Sequence, residues 1–420
     1  MSATLAKGIH ALKEQVDAPT ASFFSSCVHC GMCADACLFY TETEDPKYTP
    51  IVKVEPMRRI WQQEYTFWGR FMKALGLTKP VTDEFLTEWE TLVYDSCTMC
   101  GRCSMVCPVG NDITYMIRKT REGMAASGHA PEGIIGAATR AVEIGSPMGV
   151  KFPALQAQIS HVERDTGLKI PVDIEGAEYM CLLSSMEIMN FPEFIEAVAR
   201  IFDHAGVSWT ISSKAFEATN SGIQIGVSDI AAVLVQRVVD EAERLKVKTV
   251  ISPECGHAYM AIRWDGPNLV GKKFNFKVRH ILEVLDKLRS EGRLKTEGME
   301  DARLTYHDPC QVGRRGGVLE QPRNLINMVL SNFVEMPDGG RMNWCCGAGG
   351  GVSANERASE IKLKAFQRKL NQIEEIEAEG VVSTCANCRI QFEEGLEEYH
   401  KEIPVISLTE TIADHLVDKD

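Results

Sequence analysis

The sequence predicts a multidomain α+β protein, in which a mostly helical part of about 150 residues precedes two similar α/β lobes. Three observations support this prediction. Two cysteine tetrads lie in the first quarter of the chain, short strands alternate with long helices from about residue 172, and one segment of the first lobe aligns with a segment of the second. The 420 residues are enough for two or three domains of ordinary size.

The composition excludes several classes of protein. A formal net charge of −13 argues against a general nucleic-acid binder, which needs a basic face. The first residues, MSATLAKGIHALKEQV, lack the apolar core of a secretory signal peptide, and no stretch is apolar enough to cross a bilayer. Fifteen cysteines without an export signal indicate a reducing, cytoplasmic location, where thiolates hold metal more often than they form disulfides.

The two tetrads share the spacing C-x2-C-x2-C-x3-C, in CVHCGMCADAC and CTMCGRCSMVCP. Three closely spaced thiolates wrap one face of a 4Fe–4S cube, and the following helical turn carries the fourth to the other cube. The spacing thus predicts two cubane 4Fe–4S clusters, one on Cys27, Cys30, Cys33 and Cys107, the other on Cys97, Cys100, Cys103 and Cys37. Zinc is disfavoured, because structural zinc sites usually combine two distant cysteine pairs.

The tetrads resemble the bacterial two-cluster ferredoxin module, with two departures. Leu38 stands where the module has proline, and 59 residues separate Cys37 from Cys97. This insert, which helix-rich modules of succinate dehydrogenase type also enlarge, contains an aromatic stripe at helical spacing: Trp61, Tyr65, Trp68 and Phe71. Two interpretations stay open, a helix packed on the ferredoxin core or a docking face for a partner.

The remaining chain reads as two runs of strands and helices. EYMCLLSS, VSWTISS and KTVISP alternate with FPEFIEAVARIFDHAG and DIAAVLVQRVVDEAERLKV, and after about residue 300 LTYHDPC, NFVEMP and VVSTC alternate with further helices. Such alternation predicts parallel, Rossmann-like sheets. We therefore expect domains at residues 1–150, 172–300 and 301–420.

The two lobes share a diverged repeat. NSGIQIGVS at residues 220–228 aligns with CCGAGGGVS at residues 345–353, and a helix is predicted after each. Ser353 with Glu356 has the spacing of a helix-capping box. A duplication of this kind predicts two lobes that face each other across a cleft.

The second lobe places five cysteines in loops that follow its strands: Cys310, Cys345, Cys346, Cys385 and Cys388. Because the carboxyl ends of parallel strands meet at one edge, these thiols are expected to converge, and Gly347 and Gly349 would let the backbone approach a group bound there. Buried structural cysteines are disfavoured by the adjacent pair and the CxxC. A redox pair of thioredoxin type would leave three thiols unexplained.

The pattern C-x34-CCG-x37-C-x2-C resembles the cysteine-rich CCG domain of heterodisulfide reductases. The whole chain is similar to the fused HdrD and DsrK-like subunits of membrane complexes, and more distantly to proteins of glycolate, lactate and glycerol-3-phosphate oxidation. The resemblance implies a further 4Fe–4S cluster, noncubane, on the five cysteines, at which a disulfide is reduced or formed. It also implies a hetero-oligomeric complex with a membrane cytochrome b-type or flavoprotein subunit, and a thiol/disulfide substrate or small sulfur-carrier protein.

The first lobe departs from this pattern. Asn220-Ser221-Gly222 replaces CCG and Cys255-Gly256-His257-Ala258 replaces CxxC, which predicts a site with one such cluster. Cys181 is read as a core residue, whereas Cys255 is a sixth ligand, a substrate partner or a buried thiol.

Four further side chains are candidates for catalysis. His257 and His307 are candidate proton donors to a thiolate, with hydrogen-bonded loop histidine as the alternative for His257. Arg314 and Arg315 either steer an acidic thiol substrate or lie in a solvated loop.

Two functional hypotheses follow from the sequence. The first is an iron–sulfur oxidoreductase that acts on a thiol/disulfide couple. The second is a non-catalytic electron-transfer subunit of a flavin dehydrogenase complex, of glycolate or glycerol-3-phosphate type. Since no GxGxxG follows a predicted strand, no flavin or nicotinamide site is expected in this chain.

Overall fold

The computed structural model describes residues 3–417. The chain forms two compact units. The tetrad unit comprises the residues up to Gly136 together with Ser221–Ser228 and Gly347–Arg368, and the sheet unit comprises Ala137–Asn220, Asp229–Cys346 and the residues from Lys369 onward. Both predicted lobes thus lie in the sheet unit, and each gives one internal segment to the tetrad unit.

Residues 3–166 are mostly helical, as the sequence predicts. Their helices are α1 Ala3–Glu14, α2 Ala18–Ser26, α3 Met32–Asp35, α4 Leu38–Thr41, α5 Glu55–Tyr65, α6 Phe67–Ala74, α7 Asp83–Glu90, α8 Arg102–Met105, α9 Ile113–Ala126, α10 Glu132–Ile144 and α11 Phe152–Thr166. Side-chain caps define several starts. The Asp17 carboxylate accepts from the Thr20 N–H at α2, and the Asp112 carboxylate accepts from the Tyr115 N–H at α9.

The aromatic stripe of the insert is divided between two helices. The chain breaks at Thr66, whose hydroxyl accepts from the Gly69 N–H and caps α6. Trp61, on α5, packs against Phe24 with ring centroids 5.4 Å apart. Tyr65, Trp68 and Phe71 are exposed. Trp61 therefore packs on the helical core, as the first interpretation predicts. The three exposed residues are the ones that could form a docking face.

Two four-stranded parallel sheets form the sheet unit. The first contains β1 Tyr179–Cys181, β2 Trp209–Thr210, β3 Thr249–Ser252 and β4 Lys277–His280, in the order β2-β1-β3-β4. The second contains β5 Leu304–His307, β6 Phe333–Val334, β7 Gly380–Ser383 and β8 Val405–Ser407, in the order β6-β5-β7-β8. The same order in both sheets agrees with an internal duplication, and this parallel α/β arrangement is the one the strand and helix pattern predicts.

Helices connect the strands in both halves: α12 Ser185–Asn190, α13 Glu193–His204, α14 Ser221–Ile225, α15 Ser228–Arg244, α16 Gly256–Met260, α17 Gly266–Leu269, α18 Ile281–Ser290, α19 Glu320–Val329, α20 Ser359–Glu375, α21 Ala386–Glu398 and α22 Leu408–Asp414. Strands β1, β3, β5 and β7 are buried throughout, as expected of parallel strands covered on both faces. Cys181 lies in this core and has no exposed surface.

Three details differ from the sequence prediction. The edge strands β4 and β8 were not predicted, because each is short and runs directly into a helix that its last residue, His280 or Ser407, caps. The predicted capping box is wrong: α20 begins at Ser359, six residues after Ser353. Asn355 instead donates from its side chain to Asp95, at 2.5 Å.

Within residues 3–417 we find no helix whose length and hydropathy would let it span a bilayer.

Candidate metal centres

The eight tetrad cysteines line two separate cavities of the tetrad unit. Cys27, Cys30, Cys33 and Cys107 line one, and Cys37, Cys97, Cys100 and Cys103 line the other. Each cavity thus receives three cysteines from one tetrad and the fourth from the other tetrad. This exchange is the one expected when a short helix, α3 or α8, carries the last thiol away from the first three.

The two cysteine loops share an unusual backbone. His29 and Gly31 in the first loop, and Met99 and Gly101 in the second, all have positive φ, with values of 52°, 82°, 54° and 82°. Left-handed backbone is costly for His29 and Met99, and such strain is concentrated at ligand-binding loops. It curls each loop around its cavity, so that the three thiols of a tetrad face the same space.

Electrostatics in the second cavity oppose free thiolates. Burial raises the pKa of the Cys97 thiol, and the cations Lys53 and Arg121 oppose this rise. The Lys53 Nζ lies 3.9 Å from the Cys37 Sγ. Burial, together with the neighbouring thiols Cys100 and Cys37, raises the pKa of Cys103. A bound metal cluster would remove this thiolate repulsion, so the donor set fits an iron–sulfur group.

Arg121, on α9, holds three segments of the tetrad unit together. Its side chain is fully buried and donates hydrogen bonds to four backbone carbonyls: Val93 at 2.8 and 3.2 Å, Cys97 at 2.8 Å, Gln224 at 2.7 Å and Gly350 at 2.6 Å. No pattern in the sequence indicates this role, because its partners are up to 229 residues away. Arg121 positions the backbone of the first ligand of the second tetrad.

The glycine run after Cys346 also meets the second tetrad. A Cβ at Gly350 would lie 2.7 Å from the Thr98 carbonyl carbon, and Gly350 has φ +65°. The expectation that Gly347 and Gly349 let the backbone approach a group bound by the five later cysteines stays a prediction. The tightest contact is made by Gly350, because it packs on the loop between Cys97 and Cys100.

We expect Gly350→Ala to destabilise the tetrad unit by about 2 kcal/mol or more and to lower its iron content, since strain and a backbone clash combine. Gly167→Ala is the matched control, because Gly167 has φ +73° and an added Cβ there meets nothing within 4 Å. Its cost should be only about 1 kcal/mol, with iron content unchanged. Urea unfolding and iron analysis of both anaerobic proteins check the prediction. Equal losses in the two variants would contradict it.

The five later cysteines come together in the sheet unit. All are buried. The Cys310 Sγ lies 3.9 Å from the Cys345 Sγ, and the Cys346 Sγ lies 3.2 Å from the Cys388 Sγ. The adjacent Cys345 and Cys346 therefore point to different partners. All fifteen cysteines of the chain lie in the described residues, and no disulfide joins any of them.

A polar network fixes the loops that carry these thiols. Asp308 accepts from Arg323 at 2.6 and 2.8 Å and from the Gly340 N–H at 2.6 Å. Arg314 is buried and donates to the carbonyls of Arg341, at 2.8 Å, and Asn343. Arg314 therefore holds the loop before Cys345, and its predicted roles in substrate steering or in a solvated loop are corrected. Arg315 is half-buried.

His307 and Lys369 lie beside these thiols. A ring nitrogen of His307 and the sulfurs of Cys346 and Cys388 all lie within 4.8 Å of one another. Within residues 3–417 neither His307 ring nitrogen has a hydrogen-bond partner, although the ring is fully buried. Burial lowers the pKa of His307, and it lowers the pKa of Lys369 to about 7. An imidazole with two unsatisfied nitrogens in a pocket of thiols fits a site built for a bound group.

Cys255 of the first lobe joins the same site. It is the N-cap residue of α16, and the neighbouring Gly256 N–H bonds to the Cys385 sulfur. Burial is the main cause of the raised pKa of Cys255, and the nearby Cys385 thiol is the second. His257 lies on the first turn of α16 and is half-buried. The structure thus brings Cys255 to the five cysteines, and it brings His257 to the adjoining helix.

Comparisons with known proteins agree with both sets of cysteines. Residues 24–111 match the 4Fe-4S dicluster domain, and residues 304–393 match the cysteine-rich domain known as CCG. These ranges contain all thirteen predicted cluster cysteines.

Relatives are similar over most of the chain. Hdr-like menaquinol oxidoreductase iron-sulfur subunit 2 of Archaeoglobus fulgidus is 26% identical, with 94% of this chain and 80% of that protein covered. One dihydromethanophenazine:CoB--CoM heterodisulfide reductase subunit of Methanosarcina acetivorans is 27% identical, with 93% of each chain covered. EtfAB:quinone oxidoreductase of Syntrophomonas wolfei is 25% identical, with 88% of this chain and 55% of that protein covered.

The predicted resemblance to heterodisulfide reductase-like iron–sulfur proteins is therefore confirmed. The chain is a 4Fe–4S protein with an oxidoreductase role in electron transfer.

Proposed function

We propose that this chain passes electrons between a membrane quinone/cytochrome b or flavoprotein partner and a thiol/disulfide substrate bound in the sheet unit. The observation that supports this most directly is the gathering of Cys310, Cys345, Cys346, Cys385 and Cys388 in one buried site, with Cys255 beside them. Relatives named for menaquinol and dihydromethanophenazine favour a lipid-soluble electron donor or acceptor.

We assign the two tetrad cavities to cubane 4Fe–4S clusters and the five-cysteine site to a noncubane 4Fe–4S cluster. A cube offers four iron corners, one for each thiolate, and five cysteines exceed that number. The divergent partners of Cys345 and Cys346 also suit a more open cluster. When bound, such a cluster supplies one-electron transfer and iron atoms with affinity for sulfur.

The proposed reaction breaks the substrate S–S bond with two electrons and two protons, and yields two thiols. The electrons come from a quinol or a reduced flavoprotein. In the reverse reaction two thiols form the disulfide, and their electrons pass to the quinone or the oxidised flavoprotein. When the substrate is bound, His307 donates a hydrogen bond to a substrate sulfur, and His257 carries a proton to the thiolate that leaves. Cys255, which lies near Cys385, would contact the substrate sulfur. Arg315 attracts an acidic substrate.

Anaerobic protein with all clusters should oxidise reduced viologen only when a suitable disulfide is added, with two viologens consumed per disulfide. The thiol product should alter the EPR signal of one cluster and leave the other two unchanged. A Cys346→Ala variant is the control, because it should keep the tetrad clusters and lose turnover. Absence of turnover and of any thiol effect across a series of disulfides would contradict the proposal.

The similarity to EtfAB:quinone oxidoreductase favours a second candidate, an electron-transfer subunit that serves a separate flavin dehydrogenase. In that case, a reduced flavoprotein partner should reduce the clusters and a quinone analogue should reoxidise them at equal rates with and without disulfide. The viologen assay and this reoxidation assay on the same preparation separate the two functions.

A further inference from the structure

An exposed apolar surface lies on α6 and the residues that flank it. No side chain of α6 is buried. The large apolar side chains of residues 65–77, here termed the apolar segment, are 38–77% exposed: Tyr65, Phe67, Trp68, Phe71, Met72, Leu75 and Leu77. Single exposed apolar residues are ordinary, but a contiguous group of seven marks an interaction site.

Helix geometry separates a packed side of α6 from an apolar side. Gly69 lies against α5, since a Cβ there would be 1.8 Å from the Gln62 carbonyl oxygen. Phe67 and Phe71 lie on the opposite side of the helix, and Trp68 lies next to them. The Trp68 ring is edge-on to Phe67 and Phe71, at 5.4 and 6.1 Å between centroids. The helix is therefore fixed to the tetrad unit by one side, and its other side presents an apolar ridge.

Within residues 65–82 every charged side chain is positive. Between Glu64 and Asp83 the charged residues are Arg70, Lys73 and Lys79, in a chain whose net charge is −13. All three are exposed, and Lys73 forms an ion pair with Glu64. A local basic, aromatic segment complements an anionic surface, whereas pairing the same segment of two copies of this chain would bring like charges together.

We propose that the apolar segment binds directly to an anionic phospholipid bilayer, with its aromatic side chains among the headgroups. Helices that lie in the membrane interface combine Trp, Phe and Leu on one side with Lys and Arg on the other. Lysine is depleted from protein–protein interfaces, so its presence beside the ridge favours lipid over a protein partner. This surface is independent of the cysteine sites, and the proposal does not depend on the substrate.

The test is sedimentation of the anaerobic, cluster-loaded full chain with protein-free vesicles. Vesicles of phosphatidylcholine mixed with phosphatidylglycerol are compared with vesicles of phosphatidylcholine alone. The double variant W68S/F71S should lower the partition coefficient for the mixed vesicles by about tenfold or more. R70Q/K79Q should weaken binding to mixed vesicles, and high salt should do the same to the unaltered chain.

The matched control is W264S/M299S, which removes two apolar side chains that are 51% and 49% exposed elsewhere on the surface. It should bind vesicles as the unaltered chain does. Iron content and cluster absorption establish that each variant is folded. Failure of the unaltered chain to bind protein-free anionic vesicles would overturn the proposal and point to a membrane-protein partner, and binding unaffected by W68S/F71S would overturn it equally.

Discussion

Replacement of Cys346 or Cys388 by alanine is expected to lower the iron content from about 12 to about 8 atoms per chain, because one four-iron cluster is lost. The two sulfurs are 3.2 Å apart in the sheet unit, whereas the eight tetrad cysteines line cavities of the tetrad unit. The tetrad clusters should therefore remain. Iron and acid-labile sulfide analysis measures the loss, and EPR of the reduced protein reports the two remaining clusters.

Cys181→Ala is the matched control for these variants. It makes the same chemical change at a cysteine that is fully buried in β1, and the iron content should stay at about 12. A small loss of stability is expected there from the vacated space. If Cys346→Ala and Cys388→Ala kept all their iron, the five-cysteine site would hold no cluster. If they lost all of it, the two units would not bind iron independently.

Local spacing made much of this molecule predictable. A tetrad of cysteines two and three residues apart leaves few arrangements for its thiols, and a strand followed by a loop cysteine fixes the sheet edge where that thiol lies. Cys37 and Cys107 line the cavities that the spacing predicts for them. The positions of Cys310 and Cys385 follow equally from the strands β5 and β7 that precede them.

Contacts between distant segments were not predictable in the same way. Gly350 follows Cys346 closely in sequence, yet it packs on Thr98 of the second tetrad. Arg314 was expected to steer an acidic substrate or to lie in a solvated loop, yet it is buried against carbonyls of residues 341 and 343. In both cases the contact is to a backbone group. The identity of the partner residue therefore gives no indication of the contact.

The two duplicated segments, residues 220–228 and 345–353, both contact Arg121 in the tetrad unit. Gly226 and Gly351 occupy aligned positions and have φ values of +86° and +92°. One carbonyl from each segment, that of Gln224 and that of Gly350, accepts from the same nitrogen of Arg121. The first lobe lacks the cysteines of the second but keeps the left-handed glycine and a carbonyl contact to Arg121, so the segment serves the packing of the tetrad unit whether or not it carries thiols.

Arg121→Met should consequently lower the free energy of unfolding of the tetrad unit by about 3 kcal/mol or more. Methionine approximates the length of the arginine stem but cannot donate, and the buried carbonyls of Val93, Cys97, Gln224 and Gly350 lose a charged donor. The guanidinium also lies over the Tyr94 ring, 4.6 Å from its centroid. Since the Cys97 carbonyl is among these acceptors, the second tetrad cluster should be lost before the first.

Urea titration under anaerobic conditions, followed by visible cluster absorption and far-UV circular dichroism, measures both effects. Arg118→Met is the control, because Arg118 lies three residues earlier on α9 and is only half-buried. A half-buried arginine is still partly hydrated in the folded protein. Its replacement should therefore change the free energy of unfolding by less than about 1 kcal/mol. Similar midpoints for the two variants would mean that the buried carbonyls find other donors, and that Arg121 does not hold the second tetrad in place.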